Sequence, residues 1–556
     1  PVDVEYSNIE GGYAGTGNID EDPRFFDEAN GDLRLRLGSP CTDASDGDVA
    51  PELDILGNSR CDDPDVNTGV GTPNYVDMGA YEIRSCPGDE PCGHVICDEP
   101  PDDFCQDDYT VANYDPDGTC ADSDCSYTYS EAPCEFGCES GKCICTVFVD
   151  INAAGASDGS SWADAYTTVQ AGIDAAETAA ATEGTCEVWV AEGTYYTYVS
   201  AQSDTVQLKE NVHLYGGFAG IESLRSERDF ESNVTVLDGH EGEADVYRVY
   251  HVVTGANDAV IDGFTITGGA ANGSADQEMH GGGMYNDSVT PTLSNCVFEN
   301  NYAQQKGGGL YFLNINGQGT LSIKSCVFRD NRTPAGMFGG DGGGVYLYYR
   351  YIKPNISNSV FVNNRAHRGG AVYIYKNPPY DGGNATDATI VNSVFNDNSS
   401  DEGTVIYYYG HTWAMDITNS TFSGNHCYST SCSGTVYLAI GHSNIRNSIF
   451  WGNLSANLSG GTFDIEYSDM EGGYTGTGNI DADPLFVDAA NGDLHIASGS
   501  PCIDAANGDA APELDFHGNG RFDDLSVTDT GVGTPTYVDM GAFELHPCDG
   551  VVCDNA

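Results

Sequence analysis

The stretch FVNNRAHRGGAVYIY (residues 361–375) decides the fold, because each of its two halves recurs along the chain. Its first half begins with the pattern F-x-x-N, and its second half is a glycine pair followed by alternating apolar and tyrosine residues. The Phe residues of successive copies lie 27 to 34 residues apart, which favours coils with loops of variable length over a helical repeat of fixed period. The copies are Phe298/Asn301, Phe328/Asn331, Phe361/Asn364, Phe395/Asn398, Phe422/Asn425 and Phe450/Asn453.

A second strand pattern lies between the F-x-x-N segments, and each of its copies begins at glycine. The copies are GGGMY (281–285), GGGLYF (307–312), GGGVYLY (342–348), GGAVYIY (369–375), GTVIYY (403–408) and GTVYLA (434–439). Two short alternating strands and a glycine corner in each coil predict stacked coils, in which like residues lie over like at about 4.8 Å. We expect Phe columns to fill the interior and Asn columns to hydrogen-bond along the stack at a turn.

These motifs resemble the passenger repeats of chlamydial polymorphic outer-membrane proteins and other bacterial right-handed β-helix surface proteins. FVNN (361–364) and GGAVY (369–373) are the best examples of the F-x-x-N and G-G-A-[ILVY] patterns, whereas the coils with GTVIY and GTVYL lack the second glycine. The resemblance covers roughly residues 146 to 545. It implies an all-β, right-handed parallel β-helix displayed at a cell surface, and it implies no catalytic residue because those repeats are structural.

An N-terminal capping helix is predicted at the start of the β-helix. After the strand TVFVDINAAG (146–155), Ser161 and Asp164 resemble a capping box, and Val169 and Ile173 belong to one apolar helical stripe. A helix over the first coil would shield its open edge from pairing with other chains.

A much longer repeat frames the chain. EYSNIEGGYAGTGNIDEDPRF (5–25) recurs as EYSDMEGGYTGTGNIDADPLF (466–486), and the two copies end at YVDMGAYE (75–82) and YVDMGAFE (537–544). We expect a segment of a tandem array that starts late in one module; the alternative is a single protein with two similar caps. The expected segments are the end of a preceding β-helix (1–83), a cysteine-rich disulfide linker (84–145), a β-helix (146–465), its C-terminal cap (466–547) and the start of a further linker (548–556).

The charge balance excludes several classes of function. Lys and Arg total 21 against 85 Asp and Glu, for a net charge of -64, and such a surface repels nucleic acids and anionic lipids. No apolar run is long enough to span a membrane. Twenty cysteines without paired zinc-binding motifs favour disulfides and therefore an extracellular or cell-surface location.

Four cysteine pairs are predicted. In-register strands would join Cys145 to Cys186, and Cys296 and Cys326 share one column, where stacked free thiols are the alternative. Cys427 and Cys432 would staple a loop, and Cys61 and Cys86 would pair because the second copy lacks both. Eight further cysteines of the linker read as four disulfides whose connectivity stays open.

Calcium is the expected cofactor, held by the Asp-rich loops of the two caps. Clustered carboxylates supply the six to eight oxygens that Ca²⁺ takes, although Asp is also common in turns that hold no ion. The predicted ligands are Asp43, Asp48, Asp54, Asp504, Asp509 and Asp515.

Tyrosines supply a candidate binding face. Alternation along the strands would turn them outward as an exposed aromatic ladder, suited to sugar rings or to another subunit. The predicted face is Tyr311, Tyr346, Tyr348, Tyr373, Tyr375 and Tyr437, with coverage by the loop 376–388 as the alternative.

The sequence favours a non-enzymatic structural protein, a stalk or filament of β-helices whose partners are copies of itself. A polysaccharide-binding adhesin that uses the Tyr face is the first alternative. A polysaccharide lyase or hydrolase is the second alternative, with Asp341, Arg350, Lys353 and Asp381 as the group that would lie together. Scarce basic residues and the absence of a known hydrolase motif argue against it.

Overall fold

The computed structural model describes residues 4–55 and 69–81 with short gaps, parts of 104–143, and residues 144–546 apart from 243–246, 316–319, 336–338, 378–387, 411–412 and 429–432. The chain divides into two compact units, residues 1–143 and residues 144–556. None of the described helices is both long enough and apolar enough to cross a membrane.

The second unit is a parallel β-helix whose coils contribute strands to three ribbons, which confirms the predicted fold class. The first ribbon follows the glycine pattern and consists of Val206–Gln207, Val253–Thr254, Met284–Asp287, Leu310–Asn314, Val345–Tyr349, Val372–Lys376, Ile406–Tyr409 and the first parts of Val436–Arg446 and Leu458–Glu466. The second ribbon consists of Cys145–Val149, Cys186–Ala191, Val212–Phe218, Val260–Asp262, Thr292–Ser294, Ser322–Lys324, Asn355–Ser357, Ala388–Val391, Trp413–Thr418 and the last parts of those two long strands.

The third ribbon carries the Phe of each F-x-x-N segment. Its ten strands are Gly193–Tyr196, Thr235–Asp238, Phe264–Thr267, Val297–Glu299, Val327–Arg329, Val360–Val362, Val394–Asn396, Thr421–Ser423, Ile449–Trp451 and Asp469–Met470. Its strands pair in parallel and in register, so that Phe298 lies over Phe328 and Phe328 over Phe361.

The predicted Phe column fills the interior. The six rings stack with centroids 4.3 to 4.9 Å apart and planes within 9° of parallel, and each side chain is fully buried. A Phe in each coil therefore packs mainly against the same Phe in the coils on either side.

The predicted Asn column also forms. The amide nitrogen of Asn331 donates to Oδ1 of Asn364 at 3.1 Å and to the carbonyl of Phe298 at 2.7 Å, and Asn364 repeats both bonds one coil on. The column runs from Asn301 to Asn453 with amide separations of 2.9 to 3.2 Å. Buried amides satisfied in this way hold each coil over the next.

The small residues before each Phe form a third column, and it corrects one predicted disulfide. Ser359 donates to the carbonyl of Ser357 and accepts from the backbone N–H of Cys326. Cys326 uses its thiol in the same way, toward the carbonyl of Lys324, and Cys296 directs its thiol at Ile261. Cys296 and Cys326 are free, buried thiols, so the disulfide between them is wrong and the alternative of stacked thiols is correct.

The α-helix Val169–Glu183 packs on the first coils of the β-helix. It starts later than the sequence indicated, because Thr168 is the N-cap and accepts from the N–H of Ala171. Ser161 and Asp164 do bond to each other, in the turn before the helix. The predicted disulfide Cys145–Cys186 joins the first two strands of the second ribbon and is confirmed.

The two caps have the same local structure. Phe25–Asp27 pairs antiparallel with Asp32–Leu35, as Phe486–Asp488 does with Asp493–Ile496. Among the described residues of the second unit, two further pairs of short strands are Ala270–Ala271 with Tyr302–Ala303 and Ser399–Ser400 with His426–Cys427. The 3₁₀ turns described there are Arg225–Glu227, Gln277–Met279 and Ala489–Asn491.

The cysteine-rich segment contains a three-stranded antiparallel sheet. Its strands are Phe104–Asp107, Thr110–Tyr114 and Tyr129–Pro133, and two hairpins accompany it, Thr119–Ala121 with Asp124–Ser126 and Cys138–Glu139 with Lys142–Cys143. Cys61, Cys86 and Cys432 lie outside the described residues. Cys427 is disulfide-bonded, so its pairing with Cys432 stays a prediction, as does the pairing of Cys61 with Cys86.

Candidate functional site

Tyrosines form two rows on the face of the first ribbon that points away from the main core. Val345 and Leu347 lie in the core, whereas Tyr346 and Tyr348 belong to a separate aromatic cluster. The inner row stacks with ring centroids 4.8 to 5.4 Å apart and consists of Tyr285, Tyr311, Tyr346, Tyr373, Tyr407 and Tyr437. The outer row, with separations of 4.7 and 5.2 Å, consists of Tyr348, Tyr375 and Tyr409.

A column of charged residues flanks the inner row. Lys306, Asp341, Arg368 and Glu402 occupy the same position in successive coils, so each charge lies beside its opposite. Arg368 makes two hydrogen bonds of 2.8 Å to the carboxylate of Asp341 and lies 5.3 Å from the ring centre of Tyr373. Alternating charge and cation–π contacts both favour this register of the coils.

The middle of the inner row is buried, which corrects the predicted exposed ladder, whereas Tyr285 and Tyr437 at its two ends are half-buried. Tyr311, Tyr346 and Tyr373 are at most 4% exposed, because the rings stack on one another and the charged side chains of Lys306 and Arg368 lie over them. Burial raises the pKa of all three hydroxyls. Further accessible ring surface lies in the outer row, where Tyr348 and Tyr375 are half-buried and Tyr409 is 38% exposed.

The acid and base groups considered for polysaccharide cleavage do not converge. Asp341 precedes the strand Val345–Tyr349, and Arg350 and Lys353 follow it, so that about 16 Å of extended chain separates them. Arg368 already engages both oxygens of Asp341. Asp381 lies outside the described residues.

The second cap brings together three carboxylates. One oxygen from each of Asp504, Asp523 and Asp529 lies within 4.8 Å of the others, and this is the one such group found in the described part of the chain. The pKa of Asp504 is raised to about 7, first by burial and then by the neighbouring charges of Asp529 and Asp523.

Three of the six predicted calcium ligands accept backbone N–H groups. Asp509 accepts the backbone N–H of Thr534, Asp48 accepts that of Thr72 in the first cap, and Asp515 accepts that of Asn519. The bond of Asp515 lies within a local turn, which is the alternative to a metal site, whereas the other two bonds join residues 24 and 25 positions apart. Asp43 and Asp54 are buried in the first cap, and of the six predicted ligands only Asp504 belongs to the three-carboxylate group.

A buried ion pair holds the loop that carries this acidic group. Arg521 donates to Glu544 at 2.8 Å and to the carbonyls of Pro512 and Leu514. Asp539 accepts the backbone N–H of Asp504 at 2.8 Å. The sequence motif DMGAFE therefore supplies two acids, Asp539 and Glu544, that hold the cap backbone in place. Arg521 bonds to the second of them.

Three functional candidates escaped the sequence analysis. Asp523 has a counterpart, Asp62, in the first copy of the long repeat, and this recurrence was a usable signal. Asp529 has no acidic counterpart in the first copy, because the corresponding residue is Asn67. Tyr409 is visible in the run IYYY (406–409), which places it two residues beyond an inner-row position.

Comparisons with known proteins support the β-helix. Residues 197–380 match the family model described as "right handed beta helix region". No curated protein matches the chain. Among solved structures, the crystal structure of PfbA, a surface adhesin of Streptococcus pneumoniae, aligns over 54% of this chain and 85% of that one, at 12% identity and a TM-score of 0.19.

Proposed function

We propose that this chain is a non-enzymatic structural protein outside the cell, a segment of a stalk or filament whose β-helices associate with copies of themselves. The observation that carries the proposal is the continuity of side-chain columns through successive coils. Phe, Asn, inner-row Tyr and charged residues each meet their own kind, or their opposite charge, in the next coil. These side chains therefore interact with one another inside the stack.

Such columns favour stiffness along the β-helix axis. Each coil buries its apolar side chains only against neighbouring coils, so bending would separate stacked rings and break buried amide bonds at the same time. The ten strands of the third ribbon, at about 4.8 Å each, give a β-helix about 45 Å long.

Two features support a modular, extracellular setting. The cap structure occurs twice in one chain, and a cysteine-rich segment with its own small sheet lies between the copies. The disulfide Cys145–Cys186 suits an oxidising compartment. A repeat of β-helix, cap and cysteine-rich joint suits a load-bearing rod.

Immunogold labelling with antibodies to the purified chain tests this proposal on the source cells. The proposal predicts gold along fibres or stalks outside the cell. Label confined to the cell interior, or turnover of an anionic polysaccharide by the purified chain, would contradict it.

A second candidate function is carbohydrate binding at the outer Tyr row. Tyr375 and Tyr409 stack on each other at 5.2 Å in consecutive coils, and both side chains are partly exposed to a sugar chain that lies along the row.

A glycan array followed by titration of the best ligand tests the outer row. Tyr375→Ala and Tyr409→Ala should each weaken binding about five- to tenfold, as expected for losing one aromatic contact of about 1 kcal/mol. Tyr196→Ala is the matched control, since Tyr196 is 39% exposed on the third ribbon. Equal binding by all variants, or no glycan binding at all, would remove this candidate.

A further inference from the structure

The carboxylate of Asp504 is buried without a partner. The residue is 0% exposed, and neither Oδ1 nor Oδ2 has a hydrogen-bond partner among the described residues. A buried charge without a partner is costly, so native proteins pair such groups with donors, cations or metal ions. Arg521, which precedes Asp523 by two residues, donates to Glu544 and to two backbone carbonyls.

The surroundings of Asp504 fit a hard cation. Calcium binds carboxylate oxygens at 2.3 to 2.6 Å, so two oxygens on one ion lie no more than about 5 Å apart. One carboxylate oxygen from each of Asp504, Asp523 and Asp529 meets this limit, since the three oxygens all lie within 4.8 Å of one another. Asp529 is exposed and Asp523 half-buried, which leaves one side open to the water molecules that complete a calcium shell.

The backbone around Asp504 brings the other two acids to it. Asp504 has a positive φ of 52°, and its carbonyl accepts the N–H groups of Thr530 and Gly531 at 2.9 Å each. The loop from Phe522 to Gly531 therefore folds back onto the turn at Asp504. A cation between the three carboxylates would fasten that loop to the buried turn.

We propose that Asp504, Asp523 and Asp529 form a calcium site that closes the second cap. The bound ion supplies the positive charge that the buried carboxylate lacks and ties the loop 522–531 to the core of the cap. In the first cap the aligned residues are Asp43, Asp62 and Asn67, with one fewer carboxylate.

Calcium titration of the full-length chain by isothermal calorimetry, after EDTA treatment and at 0.15 M salt, tests the site. Wild type should show one site that Asp504→Asn and Asp523→Asn each weaken at least about tenfold, since each removes one of three charged ligands. Asp509→Asn is the matched control in the same cap, because Asp509 is exposed and bonds to Thr534. It should bind calcium as wild type does.

Thermal unfolding separates a calcium ligand from an acid with a purely structural role. Calcium should raise the melting temperature of wild type and Asp509→Asn but not that of Asp504→Asn. In EDTA, Asp504→Asn should melt no lower than wild type, because the amide removes an unpaired charge. Identical calcium isotherms for all variants, or an equal rise in melting temperature with Mg²⁺, would overturn the assignment.

Discussion

The buried carboxylate of Asp469 accepts a hydrogen bond from the thiol of Cys502, with Sγ 3.4 Å from Oδ2. In the first cap the same position is Asn8, whose amide nitrogen lies 3.1 Å from Sγ of Cys41. Burial raises the pKa of Asp469 to about 6, whereas an amide has no proton to lose. The second cap therefore has a titratable acid at this contact with cysteine, and the first cap has a neutral amide at the same position.

Asp469 should make the stability of the second unit depend on pH. An unfolded Asp has a pKa of about 3.9, so the folded state binds the proton more tightly, and stability falls as pH rises from about 4 to about 6. The loss is roughly 3 kcal/mol at most for a shift of about two pK units. Asp469→Asn should remove this part of the pH dependence in calorimetry between pH 4 and 8.

The exposed carboxylate of Asp488 supplies the control for that measurement. Asp488→Asn should keep the wild-type slope, since its side chain bonds only to the exposed Asn491. An unchanged slope in Asp469→Asn would show that Asp469 ionises normally.

Removing one amide from the Asn column should destabilise the β-helix strongly. Asn364→Ala removes the acceptor for Asn331 and the donor to Phe328, and it leaves those buried groups unsatisfied. We expect a loss of about 3–5 kcal/mol in urea unfolding. The neighbouring Asn363 is exposed with a φ of 53°, so Asn363→Gly should cost less than about 1 kcal/mol. Equal effects would mean that the column contributes little.

The charged column predicts a strong coupling between Asp341 and Arg368. Arg368→Gln leaves a buried carboxylate beside Tyr346 and Tyr373, and should cost about 3 kcal/mol in urea unfolding. Asp341→Asn combined with Arg368→Gln should cost less than Arg368→Gln alone. Additive losses in this double-mutant cycle would show that the pair does not interact.

Cys326 should tolerate serine. Its thiol bonds the carbonyl two residues earlier, as the hydroxyl of Ser359 does one coil on, so Cys326→Ser should change the free energy of unfolding by less than about 1 kcal/mol. Alkylation in denaturant without reductant should label both Cys296 and Cys326 in the wild type. Their protection from alkylation would reinstate a disulfide.

The stacked columns of the β-helix could be predicted from the sequence, but the burial of the tyrosines could not. Phe361 and Asn364 recur with their spacing intact, and a column needs only that recurrence, so both columns could be predicted. Burial of Tyr346 could not, because it depends on stacking against Tyr311 and Tyr373 and on Lys306 lying over its ring, all of which are contacts between coils.

The candidate metal site shows a second limit. Asp504 could be selected because it lies in an Asp-rich loop, as could Asp509, and local sequence does not distinguish them. The two residues differ only in the folded chain. The backbone hydrogen bond from Thr530 to Asp504 brings Asp529 close to Asp504, whereas Asp509 accepts the backbone N–H of Thr534. Because a loop of about twenty residues brings these ligands together, the site has no short, fixed spacing in the sequence that could be recognised.

Negative-stain electron microscopy of native material from the source tests the central claim most directly, because that claim is the assembly of β-helices into a stalk or filament. The account predicts long fibres with a regular axial repeat that antibodies to this chain decorate along their length. Isolated short rods that never join, in material where the antibody labels every particle, would contradict it.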